Sequence, residues 1–167
     1  VYASNLCTEI MLPSNDKWSF VCVLSSLNVL HYDKWKDTDA VETMVYFLDA
    51  VITEFVEKLE AYRDSEDRED RQTFMFMERA YTFAKENRAL GLGVLGWHSL
   101  LQSKMHAFNS QEAFNLNSEI FKFIKERSYK ASEELAERFG EPALLKGYGR
   151  RNATLNAVAP TTSSAFI

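Results

Sequence analysis

From Asp37 onward the apolar residues recur with a helical period: Val41, Met44, Leu48, Val51, Phe55 and Leu59 stand three or four positions apart. Residues so spaced share one face of an α-helix, and that face has to be laid against something else. The pattern predicts a helix over residues 38–60. Asp39 followed by Glu42 has the form of a capping box, with Asp37 and Thr38 as competing caps. Phe74, Met77, Tyr81 and Ala84 predict a second helix over residues 70–87, and a short third is expected over residues 95–105. Ser110 is a suitable cap for a long helix over residues 110–139, with Phe114, Phe121, Ile124, Ala131 and Leu135 on its buried side. Gly140 and Pro142 close it in the expected order. The mixed-sign run at residues 63–71 reads as a solvated loop or helix end.

Between the helices lie shorter apolar runs. Residues 18–24, rich in aromatic and β-branched side chains, read as a buried strand carrying Cys22, and residues 25–28 leave it. Residues 31–36 read as a polar, aromatic connector. The run from Leu90 to Gly96 contains G-x-G-x-x-G, yet it has neither a convincing preceding strand nor an acid placed to bind a ribose. It reads instead as a strand whose glycines permit close backbone packing. Residues 147–151 are expected to be a flexible connector and residues 154–158 a strand breaking into a hydroxyl-rich turn. No internal repeat or linker divides the chain, so residues 1–167 are expected to form one unit. Both ends are expected to be cut, since the chain opens on Val1 in mid-element and stops just past that turn.

Composition excludes several function classes. A net charge of −5 with no Lys/Arg cluster argues against binding nucleic acid. No apolar run is long enough to cross a bilayer and no signal-peptide pattern is present, so no membrane partner is expected and the cytoplasm is the default setting. Two cysteines do not make a disulfide scaffold. A Cys7–Cys22 bridge is arithmetically open, but in a reducing compartment free or catalytic thiols fit better.

The chemistry gathers at Asn5-Leu6-Cys7-Thr8-Glu9, where an amide, a thiol and a carboxylate occupy alternate positions. In an extended segment alternate side chains share a face, so Asn5, Cys7 and Glu9 would project together. The competing reading is an ordinary strand with a buried cysteine. At the far end, Pro160-Thr-Thr-Ser-Ser164 offers successive N–H groups and hydroxyls. Such a turn suits an anion if a helix starts there, or is simply a Ser/Thr cap.

Four stretches occur together in a recognisable order: Asn5 to Glu9, Phe20-Val-Cys-Val-Leu-Ser-Ser-Leu-Asn28, Arg88-Ala-Leu-Gly-Leu-Gly-Val-Leu-Gly96 and the run from Asn152 to Ser164. In these the chain resembles the catalytic (large, alpha) subunit of class I ribonucleotide reductases, over nearly its whole length but only a middle part of such a subunit. The resemblance implies an α/β fold, a part of the family's ten-stranded α/β barrel that is mostly helical by residue count. The radical cysteine would sit on a finger loop within it.

The implied activity is ribonucleoside-diphosphate reduction to 2′-deoxyribonucleotides for DNA synthesis. In that family a thiyl radical takes the 3′-hydrogen of the substrate ribose, which makes loss of the 2′-hydroxyl as water feasible. On the resemblance Cys7 bears the radical, Glu9 takes the 3′-hydroxyl proton and Asn5 holds the 2′-hydroxyl. Cys22 is one of the redox-active pair, its partner lying on an earlier barrel strand; a small buried hydrophobe is the alternative for this residue. Thr161, Thr162, Ser163 and Ser164 cradle the substrate phosphate.

The segment itself is expected to bind no metal or cofactor. The radical would come from a metal-containing small subunit, with adenosylcobalamin as the alternative source. Implied partners are the ribonucleoside diphosphate, the small subunit, thioredoxin or glutaredoxin, and the rest of the large subunit. Alone, the chain is expected to be inactive. A rival class is a non-catalytic piece of a split gene that acts only in assembly.

Overall fold

The structure, a computed structural model, describes residues 7–164. The elements run β1 (Leu24–Asn28), a 3-10 turn (Val29–His31), α1 (Tyr32–Trp35), α2 (Ala40–Asp64), α3 (Arg68–Asn87), β2 (Gly91–Leu95), α4 (Trp97–Ser103), α5 (Gln111–Phe139) and a second 3-10 turn (Ala143–Leu145). Helices dominate, as the apolar spacing requires, and the four expected ones are present within a few residues of their predicted ends.

β1 and β2 pair in parallel, Leu24 opposite Gly91 through Asn28 opposite Leu95. Residues 154–157 lie along the other side of β2. Leu90 N donates to Thr154 O at 2.9 Å and Leu92 N to Leu155 O at 2.8 Å, while Ala157 N donates to Leu92 O at 3.2 Å. A single parallel bridge, Leu92 to Asn156, is the regular part of this third arm. The glycines of β2 explain how it fits. A Cβ on Gly93 would stand 2.1 Å from Ala157 O, and one on Gly91 would stand 2.3 Å from Leu24 Cδ2. At Gly93 the obstacle is backbone, so only a residue without a side chain can lie that close to the third arm; at Gly91 it is the end of the Leu24 side chain.

α2 packs on both α3 and α5. Its fully buried line is Val41, Val45, Leu48, Asp49, Ile52, Val56 and Leu59, while Met44, Val51 and Phe55 are half-buried. The true stripe is therefore rotated from the expected one, and it includes a carboxylate. The main core joins this line to Leu90 and Leu92 of the β2 arm and to Ile120, Ile124, Ala131 and Leu135 of α5. A Leu or Ile truncated to alanine in such a place costs about 2–5 kcal/mol.

Several local expectations are corrected. Residues 18–23 form no strand; pairing begins where Gly91 N donates to Val23 O at 2.9 Å, and the strand itself is Leu24–Asn28, including the residues expected to leave it. Residues 18–20 are instead pinned to α3, by Ser19 N to Arg79 O at 3.2 Å and Trp18 Nε1 to Glu86 Oε2 at 2.8 Å. Their aromatic content reflects burial against a neighbour, which β-propensity does not separate from pairing. The predicted connector over residues 31–36 contains α1.

Asp39 is the N-cap of α2 without a side-chain bond, and Glu42 turns to Arg127 rather than closing a capping box. Ser110 does cap α5, accepting from Ala113 N at 3.2 Å. Phe114, expected on the buried side of that helix, is 65% exposed. The connector before the third arm is tied down, since Gly147 N and Gly149 N both donate to the Glu141 carboxylate.

Candidate active site

A second, smaller apolar cluster holds the opening loop. Ile10 and Leu12 pack with Phe83 of α3, Ala89 and Ala157, flanked by Trp18, Phe20, Val21 and Leu24. Met11 between them is exposed, so the chain alternates in and out at residues 10–12 as an extended segment does. Alternation fails just upstream. Thr8 takes a left-handed φ of 59°, and its hydroxyl donates to Cys7 O at 2.7 Å. A β-branched residue in that region is a backbone outlier, and it turns the chain between Cys7 and Glu9.

The consequence is that the two chemical groups meet different surroundings. The Cys7 thiol is exposed and free. Both carboxylate oxygens of Glu9 are buried, with no hydrogen-bond partner among the described residues. Asn5, the third member of the motif, lies outside the described residues.

The hydroxyl-rich turn departs from the same anchor. Ala157, packed with Ile10 and Leu12, is four positions before Thr161. Four residues span at most about 14 Å of chain. Thr162 and Ser163 form a turn and Ser164 adopts a 3-10 conformation, all three exposed, with Thr161 half-buried. Cys22 sits two residues before β1, exposed rather than buried, on the rim of an apolar cavity of about 230 Å³. Val21, Val23, Ile52, Phe55 and Phe83 are among its walls.

One polar centre escaped the sequence reading. Asp49, in the buried line of α2, is met by two guanidinium groups: Arg88 Nε donates to Oδ1 at 2.8 Å and Arg151 Nε to Oδ2 at 2.9 Å. Arg88 also donates to Asp49 O at 2.8 Å and Thr53 Oγ1 at 2.5 Å. Asn152 Nδ2 reaches Asp49 Oδ1 at 2.9 Å and Arg88 O at 3.0 Å, and its own Oδ1 accepts from Ser132 Oγ at 2.8 Å. Burial pushes the Asp49 carboxyl up, but the two guanidiniums outweigh it and hold the group below its ordinary value. The available signal was position: Asp49 falls four residues after Val45 and three before Ile52, inside the apolar stripe.

No helix among the described residues is long and apolar enough to cross a membrane.

Residues 1–145 match the family model for the ribonucleotide reductase barrel domain. The chain belongs to this family. It is similar to the Actinobacillus ureae class Id ribonucleotide reductase alpha subunit, at 55% identity and a TM-score of 0.87, over 99% of this chain and 30% of that one. It is 40% identical over its full length to a putative ribonucleoside-diphosphate reductase large subunit of Frog virus 3, covering 28% of it. A vitamin B12-dependent ribonucleoside-diphosphate reductase of Thermoplasma acidophilum is 31% identical over 54% of this chain, and 13% of that protein is matched. The chain thus spans under a third of these reductases. Its architecture is that of a mostly helical part of the reductase barrel. The turn at residues 161–164 lies beyond the family-model match but within the match to the viral large subunit.

Proposed function

We propose that this chain is the part of a ribonucleoside-diphosphate reductase catalytic subunit that carries the radical cysteine, the base and the phosphate cradle. The observation that carries the reading is the Glu9 carboxylate, its oxygens buried without a partner among the described residues, two positions from an exposed Cys7. A structural carboxylate would have recruited a donor; an unpaired one is positioned to take a proton from a substrate that supplies the missing hydrogen bond.

The Cys7 thiyl radical takes the 3′-hydrogen, forming the S–H bond and leaving a carbon radical. Glu9 takes the 3′-hydroxyl proton, and the 2′-hydroxyl, held by Asn5, takes a proton from one of the two thiols and departs as water. In becoming a disulfide, Cys22 and a second thiol outside this chain give that proton and, with a second proton, two electrons to the 2′-carbon. Cys7 returns its hydrogen to the 3′-carbon and regains the radical, and thioredoxin or glutaredoxin then reduces the disulfide. The hydroxyls and amides of residues 161–164 receive the diphosphate. The radical is delivered by a metal-containing small subunit, a choice supported by the 55% identity to a class Id alpha subunit. The similarity to a vitamin B12-dependent enzyme keeps adenosylcobalamin as the second reading. The setting of this reaction is the cytoplasm.

The test uses a chimeric subunit in which residues 1–167 replace the matching segment of the Actinobacillus ureae alpha subunit. With ribonucleoside diphosphate, activated small subunit and dithiothreitol it should form deoxyribonucleotide. Cys7→Ser should abolish turnover with substrate binding nearly intact, whereas Cys22→Ser should permit the first radical steps but no redoxin-supported reduction. Equal, mild losses from both would make the cysteines structural and end the proposal. Turnover with adenosylcobalamin in place of the small subunit would select the second radical source.

A further inference from the structure

Arg88 is the C-cap of α3 in a left-handed conformation, φ 47° and ψ 45°, and is buried. An arginine held there carries a backbone cost that its surroundings must offset, and the bonds to Asp49 and Thr53 supply the restraint. Two residues later Leu90 begins the pairing with the third arm, and β2 follows. Arg151 and Asn152 are held from the same carboxylate, and two residues later Thr154 begins that pairing from the other side. Arg151 further donates to Phe139 O at 3.0 Å and Gly140 O at 2.8 Å, tying the end of α5 to this point. One carboxylate therefore stands at the entry of both β2 and the third arm beside it. The third arm then runs to Ala157, which packs on Ile10 and Leu12, and on to the turn at residues 161–164.

We infer that Asp49, with Arg88, Arg151 and Asn152, is a positioning residue that sets the phosphate-binding turn relative to the Glu9 loop. The inference rests on the proposed reductase reading. The hub touches no substrate; it acts by fixing where the third arm starts, and a misplacement of about 1 Å in a binding group can be worth up to a hundredfold in rate.

The experiment uses the chimeric subunit, with inorganic pyrophosphate as a competitive probe of the phosphate turn. Asp49→Asn should raise the KM for ribonucleoside diphosphate and the inhibition constant of pyrophosphate together, by about tenfold, with kcat at saturation changed less than about twofold. Asp49→Asn/Arg88→Gln removes the more buried of the two guanidiniums that the single substitution strands, so its thermal stability should recover in part while the raised KM does not. Arg151→Lys keeps the charge but loses the fork to Phe139 and Gly140. It should fold, and raise both constants by about threefold. KM returning to normal along with stability in the double variant would overturn the inference, as would unchanged pyrophosphate inhibition in Arg151→Lys. Failure of the unsubstituted chimera to form deoxyribonucleotide would instead defeat the reductase reading, a result distinguishable from either of these.

Discussion

Two carboxylates of this chain are buried and treated in opposite ways. Asp49 has two guanidinium partners and the Asn152 amide, each within 2.9 Å. Glu9 has both oxygens out of solvent and no partner among the described residues. Buried polar groups are satisfied almost everywhere in folded proteins, because an unmade bond carries the whole desolvation penalty. On the proposed reading, the difference separates a group that builds the scaffold from one left for a ligand to meet. Backbone geometry draws the same line. Left-handed Arg88 is tied to Asp49 and Thr53, while the bond of left-handed Thr8 among the described residues is a local one to Cys7 O.

The largest effect should come from Glu9→Gln in the chimeric subunit. The substitution keeps size and burial but removes the proton acceptor, so turnover should fall by about 100- to 10,000-fold. Thermal stability should stay within about 1 kcal/mol, because no partner among the described residues is lost. A large stability loss with modest change in turnover would place Glu9 in the scaffold and erase the contrast with Asp49.

Asp49→Asn should invert that profile. Two buried guanidiniums would lose their counter-charge, a change worth about 3–5 kcal/mol of stability, visible in thermal or denaturant unfolding. The pH dependence has a defined sign. The folded-state pKa of Asp49 is depressed below 3.8, so its contribution is present above the unfolded value. That contribution is lost as pH falls through the folded one. The native subunit should lose stability between about pH 5 and its acid transition more steeply than Asp49→Asn does. Parallel curves would show that the carboxylate is not the charge holding Arg88 and Arg151.

The contrast also explains which parts were legible from sequence. The long helices were, because a 3.6-residue period sustained over several turns has few other causes. The glycine-rich strand was legible because neighbouring atoms occupy the space a Cβ would need at Gly91 and Gly93. β1 was misplaced because Trp18, Phe20 and Val21 are apolar on account of the small cluster they flank, not of strand pairing. Asp49 was missed since a lone acid in a helix reads as solvated, and its partners stand 39 and 102 positions away. At the site, the spacing of Cys7 and Glu9 suggested a shared face in an extended strand. Thr8 breaks that geometry by a conformation β-branched residues rarely adopt. Asn5 lies outside the described residues, so its place in the trio rests on the family resemblance.

The smallest effect is expected at Phe114, which belongs to neither polar centre. A helix turns about 100° per residue, and the buried line of α5 passes through Ala113, Ile120, Ile124, Ala131 and Leu135. Phe114 is one step off that line, facing Trp97 and Phe108 across an open groove. Most of its ring surface is already in water, so little transfer energy remains to be lost. Phe114→Ser in the chimeric subunit should change stability by about 0.5 kcal/mol or less, with turnover unchanged. Ile120→Ala, on the buried line, should lose about 2–5 kcal/mol in the same unfolding measurement. If Phe114→Ser instead approached the Ile120→Ala loss, that face of α5 would be covered in the assembled subunit. The buried side drawn from the aromatic spacing would then hold there after all.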